Sequence, residues 1–217
     1  MKVLDNGFVE ILDVMGDDLA IVNAARKSFN RESKKWTKKD ATLLKYMWDE
    51  GHTSPFEMVE FKFAVKAPLF VVRQWHRHRT WSYNEVSRRY TSDGLDFYYP
   101  KVWRKQSKDN KQSSHGSAIA DLNEYCDMKL NNICANAYSQ YTQLIFLGIC
   151  REQARMVLPQ NMMVEMVAKV DLSNLIKFLK LRNHPHAQWE IQEYARAIEV
   201  LIDEYVPKTM KLYRGEK

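Results

Sequence analysis

Glycine and proline are scarce in this chain, seven and six among 217 residues, which favours long regular elements over a turn-rich or low-complexity architecture. Long apolar runs are missing as well. None approaches the roughly 20 residues of a membrane span, and Met1-Lys2-Val3-Leu4-Asp5 has no signal-peptide core, so a cytoplasmic location and no membrane partner are expected. Cysteine is limited to Cys126, Cys134 and Cys150, an odd set without CxxC spacing. That set argues against a disulfide framework or a zinc knuckle, and reduced, buried thiols are expected.

The composition that remains is ordinary for a globular protein, 45% hydrophobic and 12% aromatic, and the length suits one domain over residues 1–217 with a sizeable core. A net charge of +6 admits nucleic acid as a partner. It equally suits small polyanions such as nucleotides, dinucleotide cofactors or folates.

Along the chain, Phe8–Val14 reads as a strand, and Asp17-Asp18 is placed to cap a first helix through Ala25. Thr37 with Asp40 three residues on resembles a capping box, followed by helically spaced Leu43, Leu44, Met47 and Trp48 and a stop at Gly51. Ser54-Pro55-Phe56-Glu57 reads as a second cap with free backbone N–H groups. Val59, Phe61, Phe63 and Val65 alternate with polar residues and predict a strand with one buried face. A helix over Leu69–His76 then delivers the next residues to a loop. Residues 104–117 are polar and predict an exposed excursion. Ala118–Leu147 predicts the long helix, ended by Gly148, with a short helix over Arg151–Val157. A strand around Val164–Val170, a helix around Leu175–Leu179 and a last helix striped from Ile191 to Tyr205 complete the chain.

The densest chemistry lies at residues 77–90, Arg-His-Arg-Thr-Trp-Ser-Tyr-Asn-Glu-Val-Ser-Arg-Arg-Tyr. Arginine offers a planar fork matched to phosphate or to the edge of a heterocycle, and Ser, Asn and Glu add directional polar partners. A solvated basic face would favour lysine and would not need Asn84, Glu85 and Ser87. Aromatic residues interleaved with arginines also suit single-stranded nucleic acid, with bases stacked and phosphates held; pocket recognition is the preferred reading. His76/His78 and His184/His186 have metal-compatible spacing, but no carboxylate or thiolate cluster accompanies them, so no metal is expected. Ser87 lacks an evident base and is read as a hydrogen-bonding group, and Cys150 as structural.

Order and spacing carry a resemblance. Arg-His-Arg, two residues, Ser, one, Asn-Glu, one, Ser, one, Arg-Tyr is similar to the signature of flavin-dependent thymidylate synthases. The likeness continues through Gly51-His52-Thr53-Ser54-Pro55-Phe56-Glu57, Ala67–Trp75, Ala154-Arg155-Met156-Val157-Leu158-Pro159 and His186-Ala187-Gln188-Trp189-Glu190. It implies reductive methylation of dUMP to dTMP, with methylenetetrahydrofolate as carbon donor, NADPH as reductant and FAD as cofactor, and with no protein nucleophile. The fold expected is a single α/β (α+β mixed) domain, long helices around a small, mainly antiparallel sheet, in a homotetramer with shared active sites and no nucleic-acid partner.

By family position the resemblance places Gln74, Arg77, Glu85, Ser87, Arg88, Arg89, Arg155 and Arg182 on dUMP, with Arg182 catalytic because a cation beside the uracil ring favours its ionised form. It places His52, Ser54, Arg77, His78, Arg79, Glu85, Asp171, Ser173, Lys177 and His186 around FAD. Where the family typically has Asn-x-Arg-Ser-Leu-x-Asn-Phe-Leu-x-x-Arg, this chain departs at Asp171, Ser173 and Lys177 while keeping Arg182. An acid cannot donate as an amide does, and lysine adds a charge, so a flavin affinity or potential unlike that of relatives is expected.

Overall fold

The computed structural model describes residues 1–108, 114–117 and 120–216. Seven strands lie among them: β1 (Lys2–Val3), β2 (Gly7–Met15), β3 (Glu60–Pro68), β4 (Ser82–Glu85), β5 (Arg104–Gln106), β6 (Ser114–Ser117) and β7 (Met163–Asp171). Five form one sheet in the order β1-β2-β3-β7-β4 with every pairing antiparallel, and β5 with β6 makes a separate ribbon. Eight helices accompany them: α1 (Asp18–Arg26), α2 (Lys38–Asp49), α3 (Leu69–Trp75), α4 (Ala120–Phe146), α5 (Arg151–Ala154), α6 (Leu172–Arg182), α7 (Trp189–Ile202) and α8 (Pro207–Arg214). Helices around a small antiparallel sheet are the architecture expected.

The sheet follows from alternation. Phe61, Phe63 and Val65 of β3 and Val164, Met166, Ala168 and Val170 of β7 are buried, while on the other face Lys169 donates to the Glu60 carboxylate at 2.8 Å. Above the buried face Trp75, fully enclosed, stacks on Phe178 of α6 at 5.0 Å and meets Trp81 and Tyr194 edge-on at 5.7 and 5.9 Å. Tyr194 also donates to the Lys66 carbonyl at 2.7 Å, and it passes so close to Gly7 that a Cβ there would lie 2.1 Å from its hydroxyl. Only glycine fits at that crossing.

Caps fix the helix starts. The Asp17 side chain accepts from Ala20 N at 2.8 Å, whereas Asp18 is buried and accepts from Lys208 N, Thr209 N and the Thr209 hydroxyl, tying α1 to the start of α8. Asp40 accepts from Thr37 N at 2.8 Å, as the Thr37/Asp40 pattern predicts, and also takes bonds from Ser33 and Arg26. Gly148, with φ +83°, ends α4.

Several expectations are revised. The stretch read as a loop after α3 contains β4, which pairs with β7 because Ser82–Glu85 present an extended backbone beside its free edge. Ser54 caps nothing: Thr53 precedes a 3-10 turn over Ser54–Met58 and no side chain caps it. The last expected helix stops at Ile202, and α8, starting with Pro207 at its first turn, was not anticipated. Among the thiols Cys134 is buried, but Cys126 is half-buried and Cys150 is exposed at the residue that precedes α5. Residues 109–113 of the expected excursion and 118–119 of the expected long helix lie outside the described residues.

Asp171 closes β7 and caps α6, accepting from Asn174 N at 2.9 Å and from the Asn174 side chain at 2.6 Å. Asp171→Ala is expected to destabilise the protein by about 1 kcal/mol, while Asp171→Asn, which caps as well, leaves stability nearly unchanged. Thermal midpoints of the two variants check the difference.

Candidate active site

Helix α3 sorts the site residues by face. It enters from the sheet with Leu69 N bonded to the Met162 carbonyl at 2.8 Å and Phe70 N to the Gln160 carbonyl at 3.1 Å. Val71, Val72 and Trp75 are buried. That leaves two solvent-side rows three residues apart, Arg73 with His76 and Gln74 with Arg77. Tyr83 of β4 locks the end of the helix, its hydroxyl donating to the carbonyls of Trp75 at 3.0 Å and His78 at 3.1 Å.

The first row opens on a pocket of about 840 Å³ lined by Arg73, His76, Glu85, Ser87, Arg88, Arg89 and Arg155, with Glu152, Leu158, Gln160 and other residues completing the wall. The structure therefore brings Glu85, Ser87, Arg88, Arg89 and Arg155 together. Loss of hydration in this wall raises the Glu85 carboxyl, opposed by the charges of His76, Arg155, Arg73 and Arg88. Arg89 stacks over Tyr90 at 5.1 Å and donates to its hydroxyl, and its Nε and backbone N lie within 3.5 Å of Ser87 Oγ. Arg88 is buried, and its fork is committed to the Asp93 and Gly94 carbonyls at 2.6 and 3.1 Å, so it holds the following loop. Arg73 and His76 were not picked out from the sequence as site residues, although a spacing of three on a predicted helix was enough to find them.

The second row gathers Gln74, Arg77, His78 and Arg182. Arg182, at the end of α6, donates from Nε to His78 Nε2 at 2.9 Å and from Nη2 to the Gln74 carbonyl at 3.0 Å. An arginine cannot accept, so His78 is neutral with its proton on Nδ1. Burial first, then the Arg182 charge, holds His78 down at about 4. Burial and Arg77 also lower Arg182. Among the described residues the side chains of Arg73, Arg77 and Arg79 make no hydrogen bond or ion pair.

Of the positions expected around FAD, Glu85 lines the first pocket and Arg77, His78 and Arg79 lie at the end of α3; the others are spread over three places. His52 and Ser54 line an open pocket of about 850 Å³ with Arg26, Lys27, Arg31 and Tyr46. His52 also borders a smaller pocket of about 150 Å³ with Ser173, Lys177 and Lys180. Ser173 is buried, Lys177 is exposed and donates to Asn174 Oδ1 at 3.3 Å, and Asp171 is taken up by the cap. His186 is exposed beside His184, ring centroids 4.7 Å apart, and apart from both pockets. Cations, an aromatic ring and an open groove of this size fit an anionic dinucleotide. Among the described residues no three His, Cys, Asp or Glu side chains are grouped to hold a metal ion, and no helix is long and apolar enough to cross a membrane.

Comparison with known proteins agrees with this geometry. The family model described as thymidylate synthase complementing protein matches residues 10–208. A flavin-dependent thymidylate synthase of Thermus thermophilus is 53% identical over 207 residues, 95% of this chain and 75% of that protein. The enzyme of the same name from Thermotoga neapolitana is 43% identical over 213 residues, 98% of this chain and 93% of its own. Among solved structures, the UMP/dUMP methylase PolB of Streptomyces cacaoi, bound with 5-Br dUMP, superposes with a TM-score of 0.89 at 32% identity, covering 100% of this chain and 98% of that one. Matched over nearly its whole length in sequence and in fold, the chain belongs to the flavin-dependent thymidylate synthase family.

Proposed function

We propose that this protein methylates dUMP to dTMP reductively, with methylenetetrahydrofolate as carbon donor, NADPH as reductant, FAD as cofactor and no protein nucleophile. The observation that carries the reading is the division of cationic and amide groups between the two faces of α3, in a chain of this family. On one face Arg73, Arg89 and Arg155 suit a nucleotide phosphate, with Ser87 and Glu85 beside them. On the other, Arg182 is held by His78 and by the Gln74 carbonyl while its Nη1 makes no hydrogen bond among the described residues. That free nitrogen suits a uracil carbonyl and favours the ionised ring, which raises electron density at the carbon to be methylated.

FAD, when bound, supplies the hydride. His52 and Ser54, with Arg26, Lys27 and Arg31 nearby, are the residues proposed to hold its anionic part, and Arg77, His78, Arg79 and His186 to border it from the α3 side. The two faces of α3 cannot both meet one nucleotide within a single chain if the helix stays packed. We therefore take the site as completed between copies in a homotetramer. Large apolar residues left open on α4, among them Leu122, Met128, Ile133 and Phe146, support an interface there. Three unpaired thiols suit a cytoplasmic setting, and residues 1–217 are taken as one domain around an apolar cluster that runs from Val3 to Met210.

The first test is the absorbance of the purified protein. Flavin bands are expected to bleach with NADPH under anaerobic conditions and to return when dUMP and methylenetetrahydrofolate are added, with dTMP formed. A colourless protein that takes up no FAD and forms no dTMP overturns the reading. Arg155→Ala and Arg182→Ala are each expected to lower kcat/KM by about 10- to 100-fold, the worth of one charge-assisted hydrogen bond. Co-expressed, the two variants are expected to recover about one quarter of the wild-type sites if each site draws on two chains. Recovery no greater than the sum of the separate variants contradicts sharing.

The His78 imidazole gives a pH signature. Its folded value near 4 lies below the usual 6.5, so its contribution to stability is full above pH 6.5 and fades as the pH falls through that window towards 4. Arg182→Met removes one of the two causes and is expected to move the His78 titration upward, read by imidazole NMR.

The departures at Asp171 and Lys177 predict altered flavin binding. Asp171→Asn with Lys177→Asn is expected to change FAD affinity at unchanged fold stability, and equal affinity in a flavin titration removes the idea.

A further inference from the structure

Gln188 and Glu190, which follow His186 in the His186–Glu190 segment, have no part in the site as described so far, yet the Gln188 side chain runs directly to Gln74. Glu190 lies in the first turn of α7 and is 3% exposed. Its carboxylate is paired with Arg104, which donates from Nη2 to Oε1 and lies 4.8 Å over the Trp189 ring. The Tyr98 hydroxyl reaches the same oxygen at 3.4 Å, and Gln188 Nε2 donates to Oε2 at 2.9 Å. Burial, then the Glu190 charge, pushes the Tyr98 phenol up, so it stays a donor.

A carboxylate only accepts, and this fixes the direction of everything beyond it. Gln188 must turn its NH₂ towards Glu190 and its carbonyl oxygen away. That oxygen accepts from Gln74 Nε2. Gln74 in consequence keeps its nitrogen inward and its Oε1 without a hydrogen bond among the described residues. Asparagine and glutamine amides are otherwise free to invert, at the cost of whatever each orientation loses.

We propose that Glu190 is a positioning residue: acting through Gln188, it holds the Gln74 carboxamide with its oxygen outward to accept from a donor group of the bound nucleotide. A phosphate offers only acceptors at neutral pH, so the partner of that oxygen is the sugar hydroxyl or a ring N–H. The inference rests on the reading of Gln74 as part of the dUMP site, and Arg104 makes the start of β5 part of the support of that site. The acceptor-only character of the Glu190 carboxylate, rather than its bulk, is what the relay requires.

Glu190→Gln keeps the bulk and reverses the order. The new amide accepts from Arg104 with its oxygen and donates to Gln188 with its nitrogen, so Gln188 and then Gln74 invert. The dUMP KM and its calorimetric Kd are expected to rise about tenfold, the loss of one hydrogen bond and its replacement by a mismatch, with kcat within about twofold of wild type. Adding Gln188→Glu to Glu190→Gln restores an acceptor-only group next to Gln74, and KM is expected to return to within about twofold of wild type. A residue that served only to pack α7 gives no such rescue. Should Glu190→Gln fail to fold, Gln188→Met cuts the relay without touching the Arg104 pair and is expected to raise KM and Kd alike.

An unchanged KM and Kd in Glu190→Gln or Gln188→Met, or a raised KM that the double variant does not reverse, overturns the relay. A wild-type protein that binds dUMP but forms no dTMP overturns the functional reading alone, and the calorimetric series still decides the relay. Failure of the wild type to bind dUMP overturns both.

Discussion

Burial of the Trp75 indole is the constraint from which the rest of the site follows. Its ring is enclosed by Phe178, Trp81 and Tyr194, and removing a core tryptophan of this kind costs about 3–5 kcal/mol. With Trp75 fixed, α3 cannot roll. The backbone bonds at its start and the Tyr83 hydroxyl at its end hold it along its length as well. A helix held on three sides presents its remaining residues in directions set by its period alone, which is why neighbours Arg73 and Gln74 face different places. The indole N–H itself is buried without a partner among the described residues, as is that of Trp81. That loss is offset by two large apolar faces meeting at the same point.

Arginine-rich segments invite the view that every guanidinium binds ligand, and the structure separates them. Arg88 and Arg104 are committed to carbonyls and a carboxylate within the chain, so the first holds a loop and the second ties β5 to α7. Arg73, Arg77 and Arg79 have no such bonds among the described residues. Arg182 is intermediate, anchored through two nitrogens and open at the third. A planar fork makes this division possible, since it can be held rigidly on one edge and still offer the other. Lysine, with one compact donor head, has no second edge to offer.

Much of the scaffold was legible because it rests on local chemistry: the period-two run of β3, the Thr37 and Asp40 pair, and Gly148 at the end of α4. The residues of the candidate site were legible as a set, through the spacing of Arg77–Tyr90. Their arrangement was not. Whether Arg88 faces a pocket or a loop depends on where Asp93 and Gly94 return, a contact that no periodicity encodes. Strand β4 escaped notice because four residues with mixed polarity form a strand only when β7 offers an edge. Helix α8 was hidden for a similar reason: its start is completed by Asp18, 190 residues earlier.

Helix α6 links the two proposed ligand regions. Its first turns hold Ser173 and Lys177 beside the His52 pocket, its middle lays Phe178 on Trp75, and its last residue, Arg182, meets His78. Eleven residues span roughly 16 Å as a rigid rod, so a displacement at the capped end is transmitted to the arginine with little loss. The three departures from the family pattern fall at the cap and in the first two turns of this rod, and Arg182 at its far end is retained. Asp171 replaces one amide with a side chain that caps as well as asparagine does, which preserves the rod while changing what its first turn can donate. Substitutions of this kind change side-chain polarity at one end of α6 and leave the geometry at its other end intact, because a helix couples position strongly and side-chain polarity hardly at all.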